Sequence, residues 1–252
     1  SIDRVIAGPE RKSRRISSKE KAITAYHEAG HALVARMLPN ADPVHKISIV
    51  ARGMTLGHTR QLPTEDRYMM TRSQFKDMLA TLLGGHTAEE IIFNEVTTGS
   101  QNDIEQATKL ARKMITDYGM SEKLGPRTFG HKEELVFLGR EISEQRDYSD
   151  KVAEQIDDEV HEIIQQAHAT AKKILTENKS KLVQIAEQLI TQETIEGEEL
   201  EILFSGPVPP PSPETKEKPT LTPVKANAKA KPVPNKKTPG IVQQPKQAPA
   251  TS

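Results

Sequence analysis

From Ser17 onward the apolar positions fall into a helical rhythm. Ile23, Tyr26, Ala29, Gly30, Leu33, Val34 and Met37 recur three and four residues apart until Pro39, and Ser17 with Glu20 three residues on forms a capping box. The pattern predicts a helix of about 20 residues. His45 to Val50 alternates polar and apolar, and Met54 to Arg60 is a second extended candidate after Gly53, so a small hairpin or short sheet is expected. Thr71 with Gln74 opens another helix, whose stripe Phe75, Met78, Leu79, Leu82, Leu83 continues through Gly84-Gly85 into Ala88, Ile91 and Ile92. A third helix is expected from near Asp103 through Ile104, Ala107, Ala111, Met114 and Ile115 to a stop at Gly119. Beyond Gly125-Pro126 runs a long stripe of Val152, Ile156, Val160, Ile163, Ile164, Ala167, Ala171, Ile174 and Leu175, followed by shorter helices at Leu182 to Ile190 and Glu198 to Phe204. The expected fold class is mainly α with one small β-sheet.

The two ends break this rhythm. Residues 1–16 are charged, contain Gly8-Pro9 and hold no period, which marks a linker, so the folded body is expected over 17–205. Residues 206–252 carry 12 of the 17 prolines, no aromatic residue, and eight lysines against two acids, a net +6. Such a stretch cannot bury enough apolar surface to offset its ordering entropy, and is expected to be a disordered tail. Residues 1–205, with 27 basic and 33 acidic side chains, are net −6. The whole chain of 252 residues is therefore neutral, which gives no argument for a nucleic-acid partner. The absence of cysteine excludes disulfides, thiolate metal sites and cysteine nucleophiles.

Chemistry concentrates in the first helix, at His27-Glu28-Ala29-Gly30-His31. Residues four apart share one face, so both imidazoles can reach one metal ion at the 2.0–2.1 Å typical of zinc. Glu28 leaves the helix about 100° further round, where a carboxylate accepts a proton from water instead of ligating. With 8 His and 25 Glu in the chain, an accidental string of this form is expected about 0.02 times, so the spacing supports metal-assisted peptide hydrolysis over two solvated histidines. His161-Glu162 lacks the second histidine, since Gln165 stands there, and receives no chemistry.

A catalytic zinc takes a third protein ligand and keeps a fourth position open. Val34 and Met37 stand where a metzincin needs Gly and His, which excludes that class. His58, Glu65, Asp66, His86, Glu89, Glu90, Asp103 and His131 are the candidates, and spacing does not choose among them. For Asp103 in particular spacing favours a helix N-cap, with Gln106 completing a capping box, over a ligand, because a cap and a ligand use the same oxygen atoms.

The blocks HEAGHALVARMLP, ISIVARGMTLGHTRQLP with EDRYMMTR, LLGGHTAEEIIF, VTTGSQNDIEQATKLARKMITDYGMSEKLGP and VFLGREI resemble, in this order, the peptidase domain of the FtsH-type ATP-dependent zinc metalloproteases over about residues 1–204. The resemblance implies a helical zincin-like peptidase domain with one Zn2+ per chain. It implies that the aspartate of the TTG-x-x-ND block, here Asp103, completes a site with His27 and His31, that Glu28 is the catalytic base, and that Glu89 and Glu90 support without ligating. It further implies an upstream AAA+ module that uses ATP, N-terminal membrane anchors, a hexameric ring facing the cytoplasm, and polypeptide substrates delivered unfolded for protein quality control. Ser1 is then expected to follow just after that module. Within these 252 residues Gly125 to Gly130 is the nearest approach to a phosphate loop, and His131 replaces the required lysine. The family commonly reads GGRAAEE, so His86 replaces an arginine, and His58 replaces a usual tyrosine; an extra histidine near the metal is a possible adventitious ligand.

A zinc endopeptidase is therefore the leading expectation, with Met54 to Thr59 offering a strand edge to extended substrate. An assembly module with vestigial catalysis is the alternative from another class, which the presence of His27, Glu28, His31 and Asp103 opposes. The basic tail suits docking to an acidic partner, although a solvated terminus explains it more simply.

Overall fold

The computed structural model describes residues 17–50, 57–61, 68–130 and 147–206, so the linker 1–16, the tail 207–252, and Glu65, Asp66 and His131 lie outside it. Helix α1 spans Ser18–Met37 and starts as its sequence requires: the Ser17 hydroxyl accepts from Glu20 N–H while the Glu20 carboxylate accepts from Ser17 N–H. It ends at Leu38, extended ahead of Pro39. Its middle is buried on nearly every side, from Ala25 to Ala35, apart from a half-buried His27, because other helices enclose it.

Strands β1 (Val44–Ser48) and β2 (His58–Gln61) pair antiparallel, with Ile47 opposite Thr59 and a register shift between Val44 and Lys46. A third strand, β3 (Thr194–Glu196), pairs with the other side of β1, giving the order β2-β1-β3. The periodicity does not announce β3. Three residues are too few to show an alternation, and only Ile195 among them is buried.

The stripe expected to run unbroken through Gly84-Gly85 divides into α2 (Arg72–Leu82) and α3 (Gly84–Phe93). The cause is a close crossing of α1 and α3. A Cβ on Gly30 would stand 2.5 Å from the Gly84 carbonyl oxygen and 2.7 Å from Ala88 Cβ, so two helix backbones meet where glycine alone leaves room. A 3₁₀ turn at Thr98–Ser100 leads into α4 (Gln101–Thr116). The alternative reading of Asp103 as the cap of this helix does not hold: Ser100 occupies the cap position, and Asp103 lies inside the first turn. The helix starts three residues earlier than the capping pattern suggested, which leaves the Asp103 side chain free of a capping role.

Helix α5 (Asp150–Glu177) lays Ile156, Val160, Ala167, Ala171 and Leu175 on the core and packs against α2, α3 and α4. Helix α6 (Lys179–Gln192) covers the opposite side of α1, and α7 (Glu198–Ser205) closes the described body beside β3. His161 and Glu162 are exposed on α5, and Glu162 pairs with Lys123, as befits a stretch without catalytic chemistry. No helix among the described residues is long and apolar enough to cross a membrane.

Candidate metal centre

Three side chains from two distant parts of the chain converge at the bottom of a cleft of about 1060 Å³. His27 Nε2 lies 3.0 Å from His31 Nε2 and 3.1 Å from Asp103 Oδ2, and His31 Nε2 lies 3.4 Å from the same oxygen. The first pair comes from adjacent turns of α1, and Asp103 is delivered by the first turn of α4. Among the described residues, these three form the group whose ligand atoms all lie within 4.8 Å of one another.

The far side of each ring fixes what its near side can do. His31 Nδ1 is 2.8 Å from the Thr81 carbonyl oxygen, which can only accept, so Nδ1 holds the ring proton. His27 Nδ1 is 2.7 Å from Glu89 Oε1. Glu89 is buried, and its other oxygen accepts the Thr97 N–H at 2.8 Å, which holds the carboxylate in place. In neutral rings both Nε2 atoms then present lone pairs to each other and to a carboxylate oxygen. Three acceptors facing one another call for positive charge between them, which a proton on His27 supplies in the metal-free protein and a metal cation supplies when bound. Four ligands at about 2.0 Å around a tetrahedral ion would stand about 3.3 Å apart, and the observed triangle of 3.0, 3.1 and 3.4 Å has that size. The donor set therefore fits zinc.

The electrostatics agree with the geometry. Burial works against a charge on His27, but hydrogen bonds to Asp103 and Glu89 outweigh it and push its pKa up to about 10. Burial likewise opposes ionisation of Asp103, yet His27 and His31 hold its carboxyl well below the usual range. Glu28, fully enclosed, is raised by burial against the pull of the two histidines and Thr59. Gly85 sits directly over the centre: a Cβ there would stand 2.6 Å from both Nε2 atoms, so the first turn of α3 forms a close lid.

The other sequence candidates take different places. Glu90 binds Lys172 at 2.8 Å and His168 at 3.1 Å, fastening α3 to α5. His86 contacts the Ser100 hydroxyl at 3.2 Å and faces the His168 ring edge-on. His58 stands on β2 opposite Ser48 and lines the cleft. None of them joins the converging triad. Sequence reasoning did not identify Glu89 as the partner of His27, nor Thr59, whose hydroxyl donates to Glu28 Oε2 at 2.7 Å. Glu89 carried a signal, being an acid on the apolar face of a helix, whereas Thr59 carried none.

A buried helix bearing two histidines and a glutamate, with an aspartate from a second helix, is the arrangement of donors that metallopeptidases use. The model for peptidase family M41 matches residues 14–203, and the chain belongs to that family. Over 211 residues, 84% of its length, it is 64% identical to the ATP-dependent zinc metalloprotease FtsH 1 of Thermomicrobium roseum and 63% identical to the protein of the same name from Sphaerobacter thermophilus. It is 52% identical over 216 residues to the ATP-dependent zinc metalloprotease FtsH 3 of Symbiobacterium thermophilum. The matched part makes up 32%, 32% and 34% of those proteins, so the chain spans about a third of their length.

Proposed function

We propose that this chain is a zinc endopeptidase in which His27, His31 and Asp103 hold one Zn2+ and Glu28 is the general base. The observation that carries this reading is the convergence of His27 Nε2, His31 Nε2 and Asp103 Oδ2 next to the buried carboxyl of Glu28. Zinc bound there supplies Lewis acidity toward the attacking water and the scissile carbonyl. Glu28 takes a proton from that water as its oxygen bonds to the carbonyl carbon, and gives the proton to the leaving nitrogen as the C–N bond breaks. Glu89 and the Thr81 carbonyl keep the two rings aimed inward throughout, so the site does not have to reorganise.

The substrate is an extended, unfolded polypeptide. Among the described residues β2 is at the edge of its sheet and lines the cleft, so its backbone can pair with a chain of any sequence. Opening a folded protein costs roughly 5–15 kcal/mol, and Gly125 to Gly130 carries no phosphate-loop lysine to couple ATP to that work. The reading therefore assigns ATP use to another part of a longer protein, as the relatives' name and length support. In that protein the chain is the peptidase part of a hexameric, membrane-anchored quality-control protease facing the cytoplasm, with 1–16 as linker, 17–205 as peptidase domain and 206–252 as an unpacked tail.

Two variants test the assignment. His27→Ala with His31→Ala should abolish zinc retention, and Glu28→Gln should retain one zinc per chain while casein hydrolysis falls about 10²-fold or more. Full zinc in the first variant, or metal loss in the second, would overturn the ligand and base assignments respectively. A strictly monomeric mass at high concentration would remove the ring.

A further inference from the structure

The edge strand beside the cleft reaches the catalytic helix through one side chain. Thr59, at the second position of β2, pairs with Ile47 of β1 and turns the same way as that fully buried residue, toward α1. Its hydroxyl lies 2.7 Å from Glu28 Oε2 and 3.2 Å from the Glu28 carbonyl oxygen. A hydroxyl has one proton to donate, and the shorter contact is to the carboxylate. On the other side of the same carboxylate, a Cβ on Gly57 would stand 2.7 Å from Glu28 Oε1 and 2.9 Å from Thr24 Cγ2. The backbone leading into β2 thus closes on Glu28 as tightly as glycine permits. The Glu28 carboxylate is clasped at one oxygen by a hydrogen bond and at the other by packing, both supplied by the strand that borders the cleft.

We infer that Thr59 is a positioning residue for the general base, fixing the Glu28 carboxylate through the hydrogen bond to Oε2. This rests on the reading of Glu28 as base. A carboxylate on two methylene groups has several staggered rotamers in principle, and only those aimed at the water are productive. The hydroxyl selects among them at no cost in charge. Because its Cα belongs to the edge strand, the placement of the base and the line along which substrate pairs are set by the same backbone.

The test compares Thr59→Val, which preserves shape without the hydroxyl, with Thr59→Ser, which keeps it. In the zinc-loaded protein acting on an unfolded peptide, Thr59→Val should lower kcat about tenfold with KM within about twofold, and Thr59→Ser should restore kcat to within about threefold. The metal-free proteins give a second readout independent of turnover: a crystal structure of Thr59→Val should show the Glu28 carboxylate displaced by about an ångström or more, with His27 and His31 unmoved. An unmoved carboxylate overturns the inference whatever the kinetics. Equal kcat in Thr59→Val and the parent, with Glu28→Gln inactive, overturns it while leaving the base assignment intact; activity in Glu28→Gln removes the base assignment itself.

Discussion

His27 Nδ1 and Glu89 Oε1 lie 2.7 Å apart across the crossing of α1 and α3, and this contact decides which nitrogen of His27 faces the cleft. With Nδ1 engaged by a buried carboxylate that is itself held by the Thr97 N–H, Nε2 is the atom that meets Asp103. The ring is thereby fixed in position and made a more basic ligand.

Replacing Glu89 by Gln should therefore weaken zinc binding about 10- to 100-fold, as removal of such outer partners commonly does. The amide keeps the shape and one acceptor, so the helix should persist. Competition against a chelator of known affinity measures the change, with far-ultraviolet circular dichroism as the control for folding. Unchanged affinity would mean that the α1 backbone alone aims the ring.

Zinc uptake should release protons. In the metal-free protein the raised His27 pKa of about 10 means the ring is protonated at pH 7, its charge answering Asp103 and Glu89. Binding a metal ion at Nε2 requires that proton to leave, so about one proton per zinc should appear in solution at pH 7. Asp103, held below the usual carboxylate range, is already ionised and contributes none. The sign follows directly: raising the pH toward 10 should strengthen apparent zinc affinity, and the released proton count should fall as the metal-free ring loses its proton unaided. Calorimetry in two buffers of different ionisation enthalpy counts the protons.

Most of the fold was legible because long amphipathic helices write their period into the sequence; α1 and α5 are each visible from their stripes alone. The Ser17 and Thr71 capping boxes fixed two helix starts to the residue. What sequence could not supply was contact between distant elements. The break between α2 and α3 follows from Gly30 meeting Gly84, 54 positions away, and β3 exists because β1 has a free side for it to pair with. At the metal centre the local i, i+4 pair was readable from spacing, while Asp103 needed the family resemblance and Thr59 needed the fold.

Glu90 should contribute to stability in a pH-dependent manner. Its hydrogen bond to Lys172 holds its carboxyl below the ordinary 4.5, burial opposing and His168 assisting. A carboxyl depressed in the folded state contributes its full stabilisation above 4.5 and loses it as pH falls through the folded value. The pair is partly exposed, so its worth is about 1 kcal/mol or less, a few degrees in Tm for a body of this size. Glu90→Gln should thus melt slightly below the parent at pH 7 and converge with it near pH 3. A gap that widens on acidification would reverse the assignment.

Gly30 and Gly85 look alike in sequence, yet alanine should fail at them in different ways. At Gly30 the added Cβ meets backbone, 2.5 Å from the Gly84 carbonyl oxygen, and neither helix can retreat without unpacking the other. The cost belongs with overpacked cores, about 1–3 kcal/mol or more, and Tm should fall by several degrees with or without zinc. At Gly85 the Cβ meets the ring ends, 2.6 Å from His27 Nε2 and from His31 Nε2, and side chains can turn aside where backbone cannot. Gly85→Ala should accordingly keep a metal-free Tm near that of the parent while losing most of its zinc affinity. Melting curves recorded with and without a strong chelator separate the two: zinc should raise the parent's Tm and that of Gly30→Ala, and leave that of Gly85→Ala nearly unmoved. Normal zinc stabilisation in Gly85→Ala would mean that the lid of α3 stands further from the centre than these distances require.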